Sequence, residues 1–130
     1  DITFIVHGEE TEGNIGNLME RYSNIYYTVN ELHGREYLLR PQENKSRFLA
    51  TLRDYGPLIE KDFATWQERI EKYPDRFMWG TDRGNAAGLW TYDADVGQIL
   101  VDYARAFIGR LEPTVQERFA YENARGLLQN

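Results

Sequence analysis

The sequence predicts an α/β chain in which helices separate three parallel strands. Three short apolar runs, residues 2–6 (ITFIV), 25–29 (IYYTV) and 77–80 (FMWG), are too short for helices and end in turn-forming or polar residues. Between and after them lie longer segments whose apolar residues recur at helical spacing. A strand that returns to its sheet through a helix runs parallel to its predecessor, with a right-handed crossover. The chain has 130 residues, 42% hydrophobic and 28% charged, which bounds it to one domain of globular composition.

Residues 2–6 form a continuous apolar run bounded by His7-Gly8, the pattern of a strand buried on both faces. An acidic loop, 8–13, leads to a helix over 14–22, with Ile15, Leu18, Met19 and Tyr22 on one face. Ser23-Asn24 ends it, and the second strand, 25–29, is rich in β-formers. Residues 30–45 hold Gly34, Pro41 and several charges and read as a long loop with one short helical turn. A helix over 46–55 carries Phe48, Leu49 and Leu52, and Pro57 opens the next. That helix, 57–72, has the strongest pattern: Ile59, Phe63, Trp66, Ile70 and Tyr73 recur at intervals of four, three, four and three. It stops at Tyr73-Pro74, because the residue before proline disfavours helix. After the third strand and a glycine-rich loop, a helix starting at Tyr92 or Asp93 runs to about Arg110 with a stripe of Leu100, Tyr103, Ala104, Phe107 and Leu111. Pro113 restarts a shorter helix that turns Val115 and Phe119 inward, and a last turn spans 122–128.

Composition narrows the function. A net charge of −6 without a basic stripe argues against nucleic acid as a partner. The absence of cysteine excludes disulfides, thiolate chemistry and cysteine metal sites. No run is long enough to span a membrane and no signal peptide is visible, so the default expectation is a cytoplasmic protein without a membrane partner. Asp1 leads straight into the apolar run without an initiator Met, so the N-terminal part of a longer protein is expected to precede it. Three strands also leave two sheet edges and an apolar face to be covered, either by that missing part or by a second copy.

The chemistry-bearing residues collect at strand ends. His7 follows the first strand, Asn30-Glu31 the second and Asp82 the third, all on the C-terminal edge where parallel α/β sheets bind ligands. A His and an Asp there can share a metal ion or a water, the one as nitrogen ligand or proton acceptor, the other as oxygen ligand or base. Each also has a bland reading. Asp82 fits a turn cap, His7 a satisfied turn histidine, and His33, Glu9 and Glu10 solvated loops. Trp66, Trp79 and Trp90 fit core or pocket wall better than a cofactor box. Gly80, Gly84 and Gly88 stand where a phosphate loop would, yet neither G-x-G-x-x-G nor G-x-x-x-x-G-K-[ST] is present, which argues against a nucleotide site. H-E-x-x-H, H-x-H and G-x-S-x-G are also missing.

The segment YPDRFMWGTDRG, the long helix after it and the stretch LEPTVQERFAYENARGLL resemble the C-terminal end of the amidohydrolase-related metal-dependent hydrolases. These are TIM-barrel proteins, and the decarboxylases of aminocarboxymuconate semialdehyde and γ-resorcylate are among them. Their last strand reads P-D-R, two hydrophobic residues, G, S or T, and D, and their last helix carries an N-A pair, here Asn123-Ala124. ITFIVHGE is similar to their sixth strand and SNIYYTVNE to their seventh, so the likeness covers almost the whole chain. It implies that residues 1–130 are strands six to eight, with their helices, of a (β/α)8 barrel. It implies that Asp82 is the eighth-strand aspartate that binds metal or serves as base. His7 is then the sixth-strand histidine that binds metal or polarises the attacking water. The family's first-strand H-x-H pair and fifth-strand histidine have no counterpart among the two histidines here. Arg83 to Gly88 depart from the common aromatic-proline continuation, which leaves the substrate class open.

The expectation is therefore part of a metal-dependent enzyme, with zinc as the divalent metal, that hydrolyses or non-oxidatively decarboxylates a small acid or amide. Whether this chain alone is an enzyme stays open, because it lacks the other histidine ligands. The alternative is a non-catalytic α/β module that self-associates with no complete metal site. The expected partners are a small-molecule substrate and either the missing N-terminal part or further copies of the chain.

Overall fold

A computed structural model describes residues 2–8, 13–30, 32, 45–81 and 93–129. The elements run β1 (Phe4–Val6), α1 (Ile15–Arg21), β2 (Ile25–Val29), α2 (Lys45–Arg53), α3 (Gly56–Lys72), β3 (Phe77–Trp79), α4 (Ala94–Ile108) and α5 (Pro113–Glu117). A π-helical turn (Arg118–Glu122) and α6 (Asn123–Leu128) follow. The strands form one sheet in the order β1-β2-β3. Both pairings are parallel, with Val6 opposite Tyr27, Tyr27 opposite Phe77 and Val29 opposite Trp79. The chain is thus the mixed α/β type its sequence predicts, with strands adjacent in the order they are made.

Alternation along a strand divides the sheet into two faces. Tyr27 and Val29 of β2 and Phe77 of β3 share one face, with Val6, Ile25 and Trp79 partly buried beside them. The same apolar cluster takes in Ile15 and Met19 of α1, Ile59, Trp66 and Ile70 of α3, and Tyr103 and Phe107 of α4. Helices α1, α3 and α4 therefore pack on this one face, and their sequence period places the residues that do so. Trp66 lies at the centre, its ring 5.4 Å from that of Tyr27 and 6.4 Å from that of Phe77. The opposite face carries Ile5, Tyr26, Thr28 and Met78, of which Met78 is buried, Tyr26 and Thr28 half-buried and Ile5 exposed.

Local signals explain the helix ends. Pro57 stands in the first turn of α3, where its missing N–H costs nothing. The Asp93 carboxylate caps α4 by accepting from the backbone N–H groups of Asp95 and Val96. In the expected α4 stripe, Tyr103, Ala104, Phe107 and Leu111 are buried and Leu100 is half-buried. Tyr103 also donates its hydroxyl to the fully buried Asp62 carboxylate, which ties α4 to α3. Exposed ion pairs clamp the helices from outside: Lys72 to Glu20, Arg110 to Glu60, and Lys45 to Asp93 and Asp95. The hydrogen bond from the cation, and then its charge, hold Glu20 and Glu60 below the ordinary carboxylate range. Asp93 is lowered first by the Lys45 hydrogen bond and then by its cap to the Val96 N–H. Among the described residues no helix is long and apolar enough to cross a membrane.

One expectation fails. Residues 2–6 do not form a strand buried on both faces: β1 is only three residues long, and Ile2, Phe4 and Ile5 are 70%, 52% and 55% exposed. An apolar run states how much cover a strand needs, whereas burial depends on neighbours. Among the described residues β1 pairs with β2 alone.

The C-terminal helix differs in a smaller way. The stretch from Pro113 to Leu128 is helical throughout, where a restart and a separate last turn are expected, and a π turn stands in its middle. The Asn123 backbone N–H reaches five residues back to the Arg118 carbonyl. The wider turn keeps Phe119 in the core and brings the Asn123 amide to β3. There its Nδ2 donates to the carbonyls of Pro74 and Phe77, both at 2.8 Å. The two segments that carry the family likeness are therefore joined directly, at the N-terminal end of β3.

Candidate functional site

The parallel sheet delivers its three strand ends to one edge. Beyond β1 comes His7-Gly8, beyond β2 Asn30, and beyond β3 Gly80-Thr81. By register His7 stands level with Thr28, and Asn30 with Gly80. Alternation puts all four on the face away from the helices. There the Asn30 amide Nδ2 meets the Nδ1 of His7 at 3.4 Å. His7 is exposed, whereas Asn30 is only 7% exposed. The buried Asn30 Oδ1 accepts no hydrogen bond among the described residues.

Two glycines make this corner possible. Gly8 has φ of 103°, the left-handed region that a side chain disfavours. The resulting turn lets its carbonyl accept from the Tyr27 hydroxyl at 3.2 Å, which ties the end of β1 to the core. Gly80 is a matter of space. A Cβ there would come 2.4 Å from Thr28 Cγ2 and 3.9 Å from Asn30 Cβ. The Thr28 methyl is fixed on a β-branched stem and cannot swing aside. Gly80→Ala is expected to lower stability by about 1–3 kcal/mol through overpacking. Thr28→Ser, which removes that methyl, should recover most of the loss, and urea unfolding of the four proteins in the cycle reads both effects. Equal losses with and without the methyl would show that the crowding is not at Thr28.

Of the residues expected at the site, His7 is at this edge. Asp82, His33, Glu9, Glu10, Glu31, Gly84, Gly88, Trp90 and Tyr92 lie outside the described residues, as do most of the two loops over 8–13 and 30–45 and the side chains of Phe48 and Leu52. Trp66 is core, and Trp79 packs at the rim of the same cluster. Asn30 is the residue that sequence reasoning noted only as a strand end. Asparagine after a strand reads as turn chemistry, and its one distinguishing mark is its place on the central strand, between the ends of both neighbours.

A metal is the cofactor the family likeness implies. Zinc takes three or four donors. Among the described residues no group of three His, Asp or Glu comes together that could hold an ion. His7 supplies one imidazole, and its Nδ1 stands 3.4 Å from the Asn30 side-chain amide. The described residues thus do not fit a metal centre on their own. What they do present is an exposed imidazole within 3.4 Å of a buried amide at the strand-end edge. No family model, no curated protein and no solved structure matches the chain.

Proposed function

We propose that the chain is the C-terminal set of βα units of an amidohydrolase-like (β/α)8 enzyme, acting on a small acid or amide by hydrolysis or non-oxidative decarboxylation. The supporting observation is the one-sided sheet. Sequentially adjacent parallel strands carry α1, α3 and α4 on a single face. A closed barrel has that arrangement, whereas doubly wound sheets carry helices on both faces. The opposite face would then line the barrel, with His7 and Asn30 at its C-terminal mouth. Asp82 and His7 are the two groups this chain contributes to catalysis and to a divalent metal, zinc in the first instance. The remaining metal donors belong to the part of the barrel not contained in this sequence. When bound there, the metal would lower the pKa of a water to about 7.

The second reading is a non-catalytic module that self-associates, and the exposed Ile2, Phe4 and Ile5 at the β1 edge favour it. Elemental analysis of the purified chain and of Asp82→Ala separates the two. Near-stoichiometric metal that is lost in the variant supports a site. Metal-free protein that sediments as an oligomer would sink the catalytic claim for this chain.

A further inference from the structure

We propose that Asn30 is a ligand-binding residue at the strand-end edge, and that the group its side-chain amide takes is a neutral carboxamide rather than a carboxylate. Asn30 follows the central strand and is 7% exposed, yet its buried Oδ1 accepts no hydrogen bond among the described residues. A buried polar atom without a partner costs free energy, and native interiors hold few of them. This one stands at the C-terminal end of the middle strand of a parallel sheet, where such sheets bind ligands. The neighbouring strand leaves a way to reach it. Gly80 is level with Asn30 and on the same face, so β3 raises no side chain beside the amide. The Gly80 N–H donates to the Val29 carbonyl at 3.2 Å, which holds that bare backbone in place.

The class of ligand follows from what a primary amide presents. One end of the Asn30 amide lies 3.4 Å from His7 Nδ1, and the other end is the unpartnered one. With Oδ1 at the open end, the ligand must bring an N–H or an O–H. With the amide turned over, Nδ2 is at the open end and the ligand must bring an acceptor. A carboxamide carries both and pairs with Asn30 in either setting, whereas a carboxylate, an acceptor only, pairs in one. The setting seen here, with Oδ1 unpartnered, is the one that turns a carboxylate away. The net charge of −6 acts in the same direction. This inference rests on the reading of the edge as a substrate site, and among the small acids and amides proposed above it selects the amides.

The test is a proton–nitrogen correlation spectrum of the intact chain, titrated with acetamide and, separately, with sodium acetate against sodium chloride of equal strength. The reporters are the Asn30 side-chain NH2 pair, assigned by its loss in Asn30→Leu, and the Gly80 backbone N–H. Acetamide is expected to shift both saturably, and acetate to leave them in place. Asn30→Leu keeps the branched shape and removes both polar atoms. It should abolish the acetamide shift at Gly80, yet unfold in urea at the wild-type midpoint or above it, because an unsatisfied buried group is gone. A folded Asn30→Leu protein with a clearly lower midpoint would make the amide a structural joint and overturn the proposal. Should Asn30→Leu not fold, the wild-type titration decides together with Asn30→Ala, which adds no bulk and should also lose the Gly80 shift. Acetate shifting the reporters as acetamide does would overturn the choice of carboxamide and leave the edge standing as a substrate site. Silence from both probes overturns the proposal, and the metal content of the chain then decides the functional reading on its own.

Discussion

Trp66→Ala is expected to cost about 3–5 kcal/mol of folding stability, the range for deleting a large aromatic from a packed interior. Trp66 is 1% exposed and lies on α3 against β2 and β3. Its ring meets those of Tyr27 and Phe77, and such pairs add about 0.5–1.5 kcal/mol each beyond burial. The cavity would open between sheet and helix layer, where Ile15, Ile70 and Phe107 are also held and cannot all collapse inward. Against the roughly 5–15 kcal/mol that stabilises an ordinary domain, the loss is a large fraction. Urea unfolding reads it as a lower midpoint at an unchanged slope. Trp66→Phe should restore most of it, because a ring remains between the strands. The damage should also reach the candidate site, since Tyr27 touches Trp66 and donates to the Gly8 carbonyl. A Trp66→Ala protein as stable as the wild type would mean that the aromatic cluster is not the centre of the core.

The parts of this fold legible in the sequence are those whose signal is local. The spacing of Ile59, Trp66 and Ile70 set the buried face of α3, and Pro57 and Pro74 set its ends. The start of α4 was expected at Tyr92 or Asp93, and the Asp93 carboxylate caps it. The parallel order followed because each crossover carries a helix. The missed parts depend on what comes next to a residue in space. Ile2, Phe4 and Ile5 have the composition of a buried strand and lie exposed, since nothing in a run of apolar residues says whether a neighbour is there. The π turn gave no sequence sign because its cause is remote: Asn123 must reach the carbonyls of Pro74 and Phe77. At the site, His7 was legible as a titratable residue at a strand end. Asn30 was not, because what marks it, burial with no partner for Oδ1 among the described residues, arises only in the folded chain.

Arg76 shows the same dependence on remote partners, and its replacement is the second large expected effect. Helix α1 ends at Arg21 and leaves its last carbonyls without intrahelical donors. Arg76, at the foot of β3, donates into that end: Nη2 to Met19 O of the helix at 3.0 Å and to Tyr22 O at its C-cap at 2.7 Å, and Nη1 to Ser23 O just beyond at 2.8 Å. The partial negative charge of those carbonyls favours a cation at that end. Arg76 is 9% exposed and its bond to Met19 O is buried, so in its absence that carbonyl above all would be left without a partner, those of Tyr22 and Ser23 being only partly buried. Arg76→Met keeps the apolar stem and removes every donor. Hydrogen bonds from a charged group contribute about 1.5–3 kcal/mol each and three on one group do not add, so a loss of about 3 kcal/mol is expected. Arg76→Lys tests whether charge or shape matters. An ammonium keeps the favourable sign at the helix end but cannot reproduce the planar fork, so it should recover only part of the loss. Full recovery by lysine would assign the effect to the helix terminus alone. Because the bonds run to buried or partly buried backbone carbonyls and not to a surface carboxylate, the loss should change little when salt is added. The same arginine lies beside the Asn123 bonds to Pro74 and Phe77. The residues behind the family likeness thus act at the N-terminal end of β3 as joints of the scaffold, while the chemistry proposed for this chain belongs to the opposite end of the same sheet.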